Sequence, residues 1–335
     1  MSTIGFVAIA RNEGERLKLC LKALVREAGP IVYVDSGSTD GSLDFAASLG
    51  IDVLNLDCSI PFTMARARNA GWKRLIELCP EISYVHFVDG DCELVEGWTK
   101  HALDFLQAHD DVGAVCGRRQ ERFPKKSLFI RQCQAEWNTP AGEADSCGGE
   151  SLMRRAALDQ SGGFNESLIA GEEPELCLRL RQAAWKIWRI PHDMSLHDAA
   201  ITSWRQWWRR CIRGGYGAAD VAHRVSTGGR GLFADQVRSA MTWVCLCGAG
   251  LAAAAVFLVA GFHRAAFGIL ATEVIILVTQ SLKIAWGVRS RCQDFRAALE
   301  YGFLTVIAKF PQFLGILRSE KDRRKQRAAR IIEYK

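Results

Sequence analysis

The sequence predicts an α/β protein with a mostly parallel sheet and helices on both faces, followed by a C-terminal helical hairpin suited to a membrane. Three observations carry this. Short apolar runs of β-branched and aromatic residues recur through the first 90 residues, separated by stretches with helical spacing. Each run stops abruptly on polar residues, and open parallel sheets hold their ligands at the carboxyl ends of their strands. Beyond residue 240, two long apolar stretches are joined by a short turn.

In chain order, Ile4–Ala10 reads as a first buried strand and runs directly into Arg11-Asn12-Glu13. Glu15–Val25 has helical spacing through Leu17, Leu21 and Leu24. Ile31–Val34 is a second strand ending on Asp35, and Ser36-Gly37-Ser38-Thr39-Asp40-Gly41-Ser42 is a turn leading into a helix. Ile51–Leu56 is a third strand. Thr63–Leu78 reads as a helix with Arg66, Arg68 and Asn69 near its start. The strand at Tyr84–Val88 then ends on Asp89-Gly90-Asp91. Two carboxylates this close repel unless a cation lies between them, and a hard divalent ion that also binds phosphate oxygens suits the place. An acidic turn after a strand is the plainer alternative.

The totals narrow the class. The chain has 335 residues, room for one large domain with an appendage or for two modest ones. Its net charge of +6 is mild and gathers late in the chain, with no interleaved basic and aromatic surface that would bind nucleic acid. The twelve cysteines show no paired C-x-x-C spacing, which suggests core thiols in a reducing compartment, not a disulfide framework or a zinc site. No charged segment followed by an apolar core opens the chain, so a signal peptide is not expected and the first domain is expected in the cytoplasm.

Four pieces in this order, Ala10-Arg11-Asn12-Glu13, Val34 to Ser42, Ala67-Arg68-Asn69-Ala70-Gly71 and Asp89-Gly90-Asp91, resemble the family 2 glycosyltransferases with the GT-A fold over roughly residues 3–215. The resemblance implies an inverting enzyme that uses a nucleotide-diphospho-sugar and a divalent metal, Mg2+ or Mn2+. It implies that Asp35 reads the nucleotide base, with Ala10, Arg11, Asn12, Glu13, Ser36 and Gly37 lining the same pocket. Arg68 and Asn69 would lie near the diphosphate or support the sheet. Asp91 would hold the metal, Asp89 with Gly90 would touch the ribose or the metal's waters, and His197 would add a metal or diphosphate contact. Gly148-Gly149 would form a sugar-facing turn. In Gly171-Glu172-Glu173-Pro174, Glu173 stands where the family usually has an aspartate base, leaving Glu172 as the competing acid. Pro174 suits a first helical turn, and a helix N-terminus favours ionised carboxylates.

The same resemblance gives His192 a weaker place than His197, after a strand expected at Trp185–Ile190. Gln206, Trp207 and Arg210 only partly match the element of processive members, so processivity is not inferred. Tryptophan beside arginine at Trp204–Arg210 also suits a membrane surface.

Met241–Phe262 and Ala265–Trp286 are each long enough to span a bilayer, with Glu273, Gln280 and Lys283 expected to face protein. Arg238, Arg289, Arg291 and Arg296 flank the pair on one side, which places both outer ends in the cytoplasm. The expected division is therefore a catalytic domain over 1–230, two spanning helices over 238–288, and an interfacial helix with a basic tail over 289–335. Phe303–Leu317 is expected to lie in the interface. Attachment at the inner membrane, with the catalytic domain facing the cytoplasm, points to a lipid-linked or polysaccharide acceptor. A sugar nucleotidyltransferase would instead need a glycine-rich loop after the first strand. A non-catalytic scaffold should have lost Asp35, Asp89, Asp91 or Glu173.

Overall fold

The computed structural model describes residues 3–225, 231–327 and 331–333. By contacts the chain divides into two compact units, chiefly Met1–Phe123 with Trp137–Ala200, and Pro124–Glu136 with Ile201–Ala328. The expected boundary at 230 lies outside the described residues.

The first unit is built on a nine-stranded sheet. In chain order it runs β1 (Thr3–Ala10), α1 (Glu15–Val25), β2 (Ile31–Asp35), α2 (Ser42–Ser48), β3 (Asp52–Asn55), α3 (Met64–Leu78), β4 (Ile82–Asp89) and β5 (Cys92–Leu94). It continues with α4 (Trp98–Ala108), β6 (Val112–Glu121), then after α5 (Leu128–Trp137) with β7 (Gly142–Glu143), β8 (Ser151–Arg154), α6 (Arg155–Ser161), α7 (Glu172–Gln182) and β9 (Lys186–His197). The sheet order is β3-β2-β1-β4-β8-β6-β9-β5, with β7 paired to β9. Strands β1 to β4 are parallel, and β8 runs antiparallel between β4 and β6. The mixed α/β sheet flanked by helices agrees with expectation.

The apolar runs become strands because both faces are covered: Phe6, Val7, Val32, Val34, Val85 and Phe87 are fully buried. Parallel register places Ala10 beside Asp35 and Ile9 beside Asp89, so the polar strand ends arrive at one edge together. Gly90 makes the closest approach there. A methyl group on it would lie 2.5 Å from the Ala10 Cβ, which only glycine avoids. One strand is longer than expected. β9 continues through Pro191 to His197, because register shifts against β6 between Cys116 and Arg119 accommodate a residue that cannot donate.

The second unit is helical: most of α5, with α8 (Trp204–Arg224), α9 (Ala234–Val259), α10 (His263–Val288), α11 (Phe295–Ile307) and α12 (Lys309–Arg324). α9 and α10 are 26 residues each and long and apolar enough to cross a membrane, with only 11% and 6% of their most apolar windows buried. The core helix of a soluble protein would be mostly covered. Glu273 faces α9, where a methyl group on Gly250 would meet its carboxylate, as expected of a polar residue in such a helix. Lys283 is exposed instead and lies near the end of α10, where a long side chain can reach an interface.

The segment expected to lie alone in the interface is instead split between α11 and α12, and α12 packs on α8. Gly215 of α8 lies against the backbone of Gln312, and Gly315 of α12 against the backbone of Ile212. A methyl group at either would sit 2.1 Å from a carbonyl oxygen. Small residues on both sides bring the two helices close. Gln206 caps its own helix: Ser203 accepts from its backbone N–H while its side chain returns to the Ser203 backbone, closing a capping box. Its side chain is thus committed to the fold.

The helix contact gives a paired test. Gly215→Ala should destabilise the detergent-solubilised chain by several degrees in Tm, because backbone must move. Gly214→Ala, with nothing within 4 Å of the added methyl, should be neutral or raise Tm, since alanine is favoured over glycine in a helix by about 1 kcal/mol. Equal effects at the two positions would remove the close crossing.

Candidate active site

At the strand ends the loops after β1 and β2 are stitched to each other. Asn12, at φ 52°, donates its N–H to Ser38 Oγ (2.9 Å) and accepts from the Thr39 N–H (2.8 Å). The Gly14 N–H donates to Asp40 (2.9 Å). Arg11 lies over the Phe62 ring and Glu13 pairs with Arg16. Asp35, expected to read a base, is buried. One oxygen accepts from the Gly37 and Ser38 N–H groups (2.8 and 2.7 Å), the other from Tyr33 Oη (2.6 Å). It shapes the loop that carries Ser36 and Gly37, and burial with this bond pushes the Tyr33 hydroxyl well above its usual range.

Arg68 and Asn69 are both placed among protein partners. Arg68 is 1% exposed and bridges Glu172 and Asp89, each at 2.6 Å, with Phe164 under its guanidinium. Burial works against its charge, but the two carboxylates outweigh that and raise its pKa. Asn69 both donates to and accepts from the Phe164 backbone, and also donates to Glu166. Both Asn69 polar atoms are used in this way, whereas the Arg68 Nε is buried without a partner among the described residues. Glu172 is likewise committed, to Arg68.

Asp91 sits in the tight turn between β4 and β5, with His197 Nε2 3.4 Å away. His197 Nδ1 lies 2.6 Å from Glu121. Burial opposes charging this ring, yet Asp91 and then Glu121 more than offset it, so its pKa rises to about 9. Asp91, Cys92 and His197 offer ligand atoms within 4.8 Å of one another. Burial holds the Cys92 thiol well above its usual pKa, so it stays neutral and is a poor ligand. A carboxylate and an imidazole backed by a second carboxylate form a donor set that fits a divalent cation. His192 is elsewhere, stacked on His101.

Glu173 differs most from expectation. It is 2% exposed. One oxygen accepts from the Cys147 N–H (2.7 Å) and the Cys177 thiol (2.9 Å), the other from the Gly148 N–H (3.0 Å). An open carboxylate facing an acceptor is not what this geometry presents. The carboxylate anchors the Gly148-Gly149 turn, whose glycines have φ 91° and 103°; a methyl group on Gly149 would lie 3.2 Å from Asp89, and one on Gly148 3.3 Å from Trp137.

Four residues without a sequence expectation complete the site. On β6, Arg119 donates to Glu150 (2.9 Å), lies 3.8 Å from Asp89, and stacks over Trp137. Glu150 is fully buried and accepts from Ser195 as well (2.6 Å). Glu121 ends β6, and Trp137 donates to it (3.2 Å). The available signal was the spacing: Arg119 and Glu121 are two apart at the end of an apolar run, so they share a face of a strand.

Residues 6–162 match the family described as Glycosyl transferase family 2. The chain is 27% identical over 194 residues to the succinoglycan biosynthesis protein ExoA of Rhizobium meliloti, an alignment covering 53% of this chain and 57% of that one. The match thus spans little more than half the length of that relative. Among solved structures, the mannosyltransferase PcManGT of Pyrobaculum calidifontis, in complex with GDP-Man and Mn2+, superposes with a TM-score of 0.56 at 16% identity, covering 93% of this chain and 86% of that one. The 1–349 fragment of S. aureus TarS gives 0.53 at 14% identity, covering 97% and 92%. These two share the fold. Strand-end acids in the expected order, a matching family and a shared fold agree: residues 6–162 carry a family 2 glycosyltransferase domain.

Proposed function

We propose that this glycosyltransferase is membrane-attached and inverting, and moves a sugar from a nucleotide-diphospho-sugar to a hydroxyl of a lipid-linked or polysaccharide acceptor, with Mg2+ or Mn2+ bound. The observation that carries the reading is the Asp91–His197–Glu121 line at the strand ends, beside the stitched loops after β1 and β2. Asp91 and His197 would hold the cation. When bound, it neutralises charge growing on the leaving diphosphate. Charge balance supports this. Asp89, Asp91, Glu121, Glu150 and Glu172 face Arg68, Arg119 and a protonated His197, which leaves negative charge in excess. A fold neighbour described with GDP-Man and Mn2+, and a relative named for succinoglycan biosynthesis, support the donor class and the glycan acceptor.

Glu173 remains our choice of base, with one condition. Asp89, Glu150 and Glu172 are each tied to an arginine, which holds their carboxylates toward that partner and away from an acceptor. Glu173 is held by neutral donors alone among the contacts described. Bonds of this kind to a charged group contribute about 1.5–3 kcal/mol net each; the condition is that an arriving acceptor lifts the Cys147–Gly148 turn, leaving the Gly148-bonded oxygen to take its proton. The two apolar helices and their flanking arginines support attachment to the cytoplasmic membrane, with the first unit in the cytoplasm.

Four outcomes test this reading. Asp91→Ala, or chelation of the wild type, should abolish transfer, and full activity in excess chelator would overturn the metal assignment. Because the metal must displace a proton from His197, Mn2+ affinity should rise about tenfold per pH unit and flatten above about 9; a titration flat between pH 6 and 8 would contradict it. Glu173→Gln should lower transfer by about 10²–10⁴ with donor affinity nearly unchanged, whereas Glu172→Gln should act mainly on Tm by stripping Arg68 of a partner. On the membrane side, the full chain should stay with vesicles through high salt and need detergent. Release by salt alone would leave only electrostatic adhesion.

A further inference from the structure

The last residues of β6 and β9 are parallel neighbours, and the register pairs Glu121 directly with His197. Glu121 is 4% exposed and carries three donors. Its Oε1 lies 2.6 Å from His197 Nδ1 and 3.2 Å from Trp137 Nε1, and its Oε2 accepts from the Ala199 N–H at 3.2 Å. Trp137 also meets the imidazole edge to face, with ring centres 6.1 Å apart, and Arg119 lies over the indole at 4.5 Å. The imidazole is therefore held at one nitrogen and along one edge. Its other nitrogen faces Asp91.

We propose that Glu121 is a positioning residue for the cation site: it keeps the His197 proton on Nδ1, so that the Nε2 lone pair points at the space shared with Asp91. The proposal rests on His197 being a ligand, as read above. A carboxylate suits the task because both of its oxygens accept. A glutamine presents one accepting oxygen and one NH2 group. Turned to serve His197 and Trp137, it sets its NH2 against the Ala199 N–H; turned the other way, it sets the NH2 against Nδ1. In either pose the ring loses its fixed tautomer or its fixed plane. Partners of this kind behind a ligating histidine typically contribute 10–100-fold to metal affinity.

The test is Mn2+ binding to the full detergent-solubilised chain, followed by the EPR signal of the free ion, with no turnover involved. Glu121→Gln should weaken binding by about 10–100-fold, and His197→Ala should weaken it at least as much. The double variant should bind no more weakly than His197→Ala alone, since Glu121 acts through that ring. Wild-type affinity in Glu121→Gln, with only a lowered Tm, would overturn the proposal and leave Glu121 a strand-end cap. A further loss in the double variant would overturn it too, because the carboxylate would then act by another route. If His197→Ala binds Mn2+ like the wild type while Asp91→Ala does not, the ligand reading itself fails and the proposal fails with it.

Discussion

The site depends first on one buried cation. Arg68, carried by α3, donates to Asp89 at the end of β4 and to Glu172 at the start of α7. An isolated charge in that position would be strongly unfavourable, and removing one member of such a bridge typically costs about 3–5 kcal/mol. The two carboxylates keep the guanidinium charged, and it in turn keeps both of them oriented. Because Asp89 is locked in this way, the turn that follows can present Asp91 toward His197. Arg119 repeats the device one layer over, with Glu150 fully buried beneath it. Burial pushes the Glu150 carboxyl upward, and Arg119 with Ser195 works against that rise. The acids that look catalytic in the sequence are thus partly counter-ions.

Much of the fold was legible because its signals are local. The apolar run before Asp89 needs only its own composition to read as a buried strand, and parallel pairing then brings Ala10, Asp35 and Asp89 to one edge. The two long apolar helices are legible for the same reason, since length and composition decide them. Side-chain assignments were harder. Nothing near Asp35 in the sequence says that Tyr33 and two amides will fill both of its oxygens. Nothing near Arg68 says that Glu172, more than a hundred residues on, will meet it. The pairing of Glu121 with His197 is a register fact between distant strands, invisible until the sheet is assembled. Phe303–Leu317 reads as interfacial because it is too short to span a bilayer, and its contact with α8 is made through Gly215 and Gly315, which carry no apolar signal.

The bound state of Glu173 joins these points to the chemistry. Its neighbours are two amides and a thiol, all neutral. Asp89, Glu150 and Glu172 are instead each paired with an arginine. The extra methylene relative to aspartate has a geometric consequence as well. It lets the carboxylate reach the Cys147 and Gly148 amides and hold the Gly148-Gly149 turn down, close to Asp89. In the proposed mechanism the turn and the base are coupled: an acceptor that lifts the turn would expose Glu173, and an empty site would cover it. Water would gain little access to the activated sugar in the covered state, which favours transfer over hydrolysis. The residue that departs from the family pattern would thereby be tied to the loop whose movement its proposed chemistry requires.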